Sequence, residues 1–241
     1  MSGYTRKNRD LNQIRSLEIN PNYQPNNHSS CLVKLGDTHV CCSAIIEDKV
    51  PGFLRNSGKG WLTAEYGMLP SSTNERMDRE AARGRQSGRT QEIQRLIGRS
   101  LRCAVNLDIL GEKTIKIDCD VISADGGTRT ASIIGGYVSL VRSINIYKSK
   151  FNLSKQIIVN QIAAISVGVV KGIPCIDLDY IEDSGAEVDC NVVKAGDGNF
   201  IEFQSTGEEA KFSKKTILDF IDLVDVVMPD IFEIQNSAIE K

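Results

Sequence analysis

Residues Lys113 to Ile122 alternate without a break. Ile115, Ile117, Cys119 and Val121 fall on one side, and Lys116, Asp118 and Asp120 on the other. A two-residue period fits one backbone conformation, a β-strand with one face buried. That strand leads into Asp125-Gly126-Gly127-Thr128-Arg129-Thr130, where paired glycines break the pattern. A helix is predicted next, from about Ala131 to Ile146, with Gly135 and Gly136 permitting close packing against a neighbour. A half-buried strand passing through a glycine turn into a helix calls for a sheet with a helix laid across it.

The rest of the chain repeats that mixture. Cys31 to Ile46 alternates around Gly36-Asp37 and predicts a hairpin, and residues 50–60 read as a loop. From Thr90, the residues Ile93, Leu96, Ile97, Leu101, Ala104 and Val105 recur at helical spacing. The polar stretch Lys148 to Lys155 marks a boundary between units 1–150 and 151–241. Beyond it, strands are predicted near 162–170, 173–181, 187–193 and 200–204, with turns at Ser184-Gly185 and Gly196-Asp197-Gly198. A final helix starts at Ser213 as N-cap and buries Ile217, Phe220, Ile221 and Val224. Both halves therefore pair sheet hairpins with helices, an α+β pattern.

Composition removes several function classes. The first twenty residues contain no apolar run of signal-peptide length, and the apolar stretch Ile162 to Val170 is too short to span a bilayer. A cytoplasmic protein with no membrane partner is expected. Seven cysteines without CxxC spacing read as reduced, small hydrophobic residues. His28 and His39 are the two histidines, too few for a Cys/His zinc site or a histidine triad, and His39 reads as a strand residue. Gly52 and Gly58 mimic a phosphate loop with the wrong spacing, and Lys59 is followed by Gly60 where Ser or Thr would hold magnesium.

Charge is divided unevenly. Residues 1–150 hold 22 of the 29 Lys and Arg but 15 of the 31 Asp and Glu, a net +7, which leaves −9 for the remainder. Eight arginines and no lysine lie between Arg76 and Arg102, accompanied by Glu75, Asp78, Glu80 and Glu92. The planar guanidinium grips phosphate oxygens in pairs, so such a cluster suits RNA or phosphate; a solvated helix face is the alternative. Gly88-Arg89-Thr90 and Gly126-Gly127-Thr128-Arg129-Thr130 each combine glycines, backbone N–H groups and an arginine, as an anion nest or as plain helix capping. Asp183 and Asp189 are the metal candidates if Ser184-Gly185 turns the chain so that the two carboxylates meet at facing strand ends; otherwise Asp183 opens a turn and Asp189 is solvated.

Five ordered blocks carry a resemblance. They are Gln13-Ile14-Arg15; Gly60-Trp61-Leu62-Thr63-Ala64-Glu65-Tyr66-Gly67-Met68-Leu69-Pro70; Gly88-Arg89-Thr90 running through Gln94 to Arg99; Asp118-Cys119-Asp120-Val121 with Ala124 to Ser132; and Tyr180 to Ser184 with Glu187-Val188-Asp189. Over nearly the whole chain they resemble the ribonuclease PH family. The resemblance implies two βαβα-like units with mixed sheets packed on helices, the first (1–150) binding phosphate and guiding RNA, the second (151–241) supplying metal-binding carboxylates. It also implies a homo-hexameric ring, a trimer of dimers, that shortens RNA by phosphorolysis, chiefly at the 3′ ends of transfer RNA precursors.

In residue terms, the resemblance joins Arg89 to Gly127, Thr128 and Arg129 as one site for inorganic phosphate. It assigns Asp183 and Asp189 to magnesium, gives Arg89, Asp183 and Asp189 catalytic roles, and has Arg76 and Arg79 guide RNA. A third RNA-guiding arginine common in the family is Ser71 here. The competing expectations are a non-catalytic RNA-binding ring subunit of an exosome-like assembly, a polynucleotide phosphorylase and a small-molecule phosphotransferase. The second needs two such cores, and the third a triphosphate-binding glycine loop.

Overall fold

The computed structural model describes residues 4–6, 8–151, 154–208 and 211–241. Its first sheet contains β1 (Leu17–Pro21), β2 (Cys31–Leu35), β3 (Thr38–Glu47), β4 (Trp61–Met68) and β5 (Thr114–Ser123) in the order β1-β2-β3-β5-β4. Neighbours are antiparallel except β4 and β5, which run parallel. The second sheet contains β6 (Ile162–Val170), β7 (Ile173–Ile176), β8 (Val188–Ala195) and β9 (Phe200–Gly207), ordered β7-β6-β8-β9 and antiparallel throughout. The helices are α1 (Glu80–Arg83), α2 (Gly88–Arg102), α3 (Leu107–Leu110), α4 (Thr128–Phe151), α5 (Tyr180–Ser184) and α6 (Lys214–Glu240). The α+β architecture expected from the alternating segments is the one observed, with mixed pairing confined to the first sheet.

Helix α4 lies between the sheets, packed on β2, β3 and β5 on one side and on β6 on the other. It buries residues all around its first four turns, from Thr128 to Ile144, as a helix enclosed by two sheets must. Gly135 and Gly136 bring it close: a Cβ at Gly135 would lie 2.5 Å from Val33 and 2.7 Å from Cys42. The alternating face of β5 behaves as its sequence requires, with Ile115, Ile117, Cys119 and Val121 buried beneath the helix layer. Each fully buried Ile or Leu of this core contributes about 1.5–3 kcal/mol. On the far side, the buried Gln235 of α6 donates to the carbonyls of Ile134 and Ile162, tying α6 to α4 and β6.

Some boundaries move for local reasons. Helix α2 stops at Arg102, and Ala104 and Val105 are buried beyond its end, where tight turn bonds to Leu101 and Arg102 redirect the chain. The strand predicted over 173–181 ends at Ile176, because Asp177 takes a left-handed φ of 55° and Asp179 with Glu182 forms a capping box that starts α5. Asp183 therefore sits in a short helix and not at a strand end. The last helix does start at Ser213, whose side chain accepts from the Thr216 N–H, but its stripe runs through Phe220, Val224, Val227, Met228, Ile231 and Ala238; Ile217 and Ile221 are half-buried.

Candidate active site

Between β5 and α4 the chain turns at Gly126 and Gly127, with φ of 71° and 66°. Both values are strained for any residue with a Cβ. At Gly126 space is decisive as well: a Cβ would lie 2.5 Å from the Leu178 carbonyl oxygen, because the segment leading into α5 rests on this loop. The Thr38 hydroxyl donates to the Gly126 carbonyl at 2.6 Å and accepts from the Asp125 N–H at 2.9 Å. Among the described residues, the N–H groups of Gly127, Thr128 and Arg129 have no protein acceptor. They stand at the positive end of a 24-residue helix.

Thr128 is buried, and its hydroxyl lies 2.9 Å from that of Tyr66 on β4. Burial pushes the Tyr66 hydroxyl upward against the opposing effects of Thr128, Arg89 and Arg129, which keeps it protonated at neutral pH. Arg89 occupies the exposed first turn of α2. That helix end is partly capped already: the Ser87 side chain accepts from the Thr90 N–H, and Glu80 accepts from the Ser87 N–H and the Thr90 hydroxyl. Of the two anion nests in the sequence, the loop at Gly127 thus keeps more donors open than the Gly88 turn.

The carboxylates stand within the field of these cations. Asp189 is the second residue of β8, and its carboxyl is pushed up to about 6, first by burial and then by the neighbouring Asp183. Asp183 is also raised by burial, and Arg129 and Arg89 pull both aspartates down while Glu208 raises them. Among the described residues one oxygen of Asp189, Oδ1, is buried with no hydrogen-bond partner; the other receives a long 3.5 Å contact from Asn191. A half-buried carboxylate with one oxygen unsatisfied, next to a second carboxylate, fits a divalent cation. Among the described residues no group of three or more Asp, Glu, His or Cys side chains has metal-ligand geometry, so such an ion would keep waters or substrate oxygens, as magnesium does.

The Tyr66–Thr128 contact and the charge effects of Arg89 and Arg129 on Tyr66, Asp183 and Asp189 thus group these residues in one neighbourhood. Arg79 approaches it, lining a cleft of 370 Å³ with Tyr66, Leu69 and Asp120. Arg76 is exposed and pairs with Asp78 at 3.6 Å. Among the described residues Arg79, Arg85, Arg89 and Arg95 have no carboxylate within salt-bridge distance, because Asp78 serves Arg76 and Arg83 while Glu80 caps α2. Tyr66, Thr38, Asn191 and Glu208 escape sequence reasoning. Tyr66 alone left a signal, an aromatic hydroxyl inside a matching block.

The model of the 3′ exoribonuclease family, domain 1, matches residues 13–144, and that of domain 2 matches residues 160–223. The fold is similar to the crystal structure of rice (Oryza sativa) Rrp46, with a TM-score of 0.78 and 17% identity over 96% of this chain and 98% of that one. It is similar to a chain of the Archaeoglobus fulgidus exosome with RNA bound to the active site, with a TM-score of 0.76 and 19% identity over 92% and 89% of the two chains. An archaeal exosome core chain matches with a TM-score of 0.72 and 18% identity over 94% and 89%. With the two family models covering most of its length, the chain belongs to the 3′ exoribonuclease family of the ribonuclease PH type.

Proposed function

We propose that this chain is a phosphorolytic 3′→5′ exoribonuclease. The observation that carries the reading is the meeting of the open N–H groups at Gly127 and Thr128, with Arg89 and Arg129, against the carboxylates of Asp183 and Asp189, the latter with its Oδ1 buried and without a partner among the described residues. Inorganic phosphate binds the first set, held by Arg89, Arg129, the Thr128 hydroxyl and the backbone donors, and is thereby stripped of water and aimed. One of its oxygens attacks the phosphorus of the last phosphodiester in line. The bond from phosphorus to the O3′ of the preceding nucleotide breaks, O3′ takes up the proton given up by the attacking hydrogen phosphate, and a nucleoside diphosphate leaves. The same groups serve the reverse addition of nucleotides from diphosphates.

Asp183 and Asp189 would hold a magnesium ion, whose chemistry is to offset charge on the reacting phosphoryl group. No protein nucleophile is needed. We assign Arg76 and Arg79 to guiding RNA, the 3′ ends of transfer RNA precursors to the substrate, a homo-hexameric ring to the assembly, and the cytoplasm to its location. Among the described residues no helix is long and apolar enough to cross a membrane. The second reading, a non-catalytic RNA-binding ring subunit, draws support from the likeness of fold to exosome-core chains. Incubation with magnesium and an RNA bearing a short 3′ extension separates the two. The enzyme reading expects shortening only with inorganic phosphate and release of diphosphates; binding without shortening would favour the ring subunit, and release of monophosphates would sink phosphorolysis.

A further inference from the structure

Arg15 is half-buried and lies far from Arg89 in the sequence, yet it reaches the back of the phosphate loop. Its guanidinium donates to the Asp125 carbonyl, to the Gly126 carbonyl at 3.5 Å and to the Leu178 carbonyl at 3.3 Å. It is anchored by Asp177, which is fully buried: Nη2 meets Oδ1 at 2.7 Å, Nε meets Oδ2 at 3.0 Å, and the Arg15 backbone N–H meets Oδ2 at 2.7 Å. Although burial pushes the Asp177 carboxyl up, these Arg15 contacts and the nearby Arg9 hold it below the ordinary carboxylate range. The Thr38 hydroxyl grips the Gly126 carbonyl from β3.

In a planar trans peptide, the carbonyl and the following N–H point in opposite directions. Fixing the Asp125 and Gly126 carbonyls toward Arg15 and Thr38 therefore fixes the N–H groups of Gly126 and Gly127 away from them. Without that clamp, two adjacent glycines have the freedom to rotate these planes and to lose the converging donors.

We infer that Arg15 and Thr38 are positioning residues for phosphate: they set the peptide planes of the Gly126-Gly127 loop, with Asp177 as the anchor that locks this loop to the second half of the chain. The inference rests on the phosphorolytic reading but concerns anion binding, which is measurable without RNA. Asp177 lies 162 residues beyond Arg15, so the clamp also joins the half bearing the phosphate loop to the half bearing Asp183 and Asp189.

The test compares Arg15→Lys and Thr38→Val with Arg9→Lys. Arg9 binds Asp177 at 2.9 Å and Glu182 at 3.0 Å, with no hydrogen bond to the loop. Thr38→Val is nearly isosteric and introduces no unpaired charge, so it stays informative if Arg15→Lys fails to fold. Protection against thermal unfolding is titrated with inorganic phosphate alone, and KM for phosphate is separated from kcat on RNA. The expected result is a loss of phosphate affinity of about tenfold in Arg15→Lys and about fivefold in Thr38→Val, with kcat falling less than KM rises. Arg9→Lys should lower the unfolding temperature and leave phosphate affinity unchanged.

Wild-type phosphate affinity in Arg15→Lys and Thr38→Val would overturn the inference and leave phosphorolysis standing. Phosphate binding that is weakened in the variants, in a protein whose RNA shortening ignores phosphate, would overturn phosphorolysis and leave the clamp standing. A wild-type chain that phosphate does not protect would overturn the clamp as an anion device.

Discussion

Asp177 is a fully buried aspartate of the second half and Asp189 a half-buried one, and they live under opposite conditions. Asp177 receives Arg15 through side chain and backbone and Arg9 at 2.9 Å, and its carboxyl is held below the ordinary range. Asp189 faces another aspartate, keeps one oxygen without a partner, and is pushed up to about 6. The same half of the chain thus satisfies one carboxylate through several donors and leaves an oxygen of the other without one. The contrast marks Asp177 as a fastening and supports the proposed metal-binding role of Asp189.

The comparison can be broken by substitution. The largest effect should come from Asp189→Asn, which would lower the turnover of 3′-extended RNA by about 100-fold or more while raising metal-free stability at neutral pH by on the order of 1 kcal/mol. Loss of both activity and stability would make Asp189 a structural residue. Arg89→Ala should match that fall in activity, with the oligomer unchanged in sedimentation and the phosphate requirement greatly raised. Asp177→Ala should move stability in the opposite direction, costing about 3 kcal/mol in denaturant unfolding because Arg15 loses its main carboxylate partner and keeps only Asp125 at 3.7 Å. A neutral outcome would remove the fastening role.

The signs with pH also oppose one another. A depressed carboxyl such as Asp177 contributes stability above its ordinary range that is lost as pH falls through the folded value. A raised carboxyl such as Asp189 contributes in the metal-free protein at acid pH and loses that contribution as pH rises through about 6. Magnesium should therefore raise the unfolding temperature at pH 7.5 and do so much less at pH 5, in a thermal scan with and without the ion. An equal shift at both values would place the ion elsewhere. The smallest expected effect is that of Ser71→Arg, which adds one phosphate contact and should strengthen RNA binding by about threefold at low salt, with a steeper salt dependence.

Sequence reasoning reached the parts of this structure that are local. The period of β5, the glycine loop and the helix after it follow from neighbours in the chain, as do the β2–β3 hairpin and the Ser213 cap. Arg89, Thr128, Arg129, Asp183 and Asp189 are legible as separate candidates from glycine turns, arginines and carboxylates in the chain, and the family resemblance is what joins them into one site. What stayed hidden depends on residues far apart in sequence. No pattern around Gln13-Ile14-Arg15 shows that Arg15 will meet Asp177, and nothing near Thr38 shows that its hydroxyl will grip the Gly126 carbonyl. The strand that was expected to continue past Ile176 stopped for the same reason: Asp177 turns aside to receive Arg15, and the capping box at Asp179 takes over.

The central claim is that phosphate, held at Arg89 and the Gly127-Thr128-Arg129 loop, is the nucleophile. Its most direct test supplies isotopically labelled inorganic phosphate with magnesium and an unlabelled RNA carrying a 3′ extension, and then locates the label. The account predicts nucleoside diphosphates labelled in the terminal phosphoryl group, in amounts equal to the nucleotides removed. Unlabelled monophosphates, or RNA shortened equally without phosphate, would contradict it.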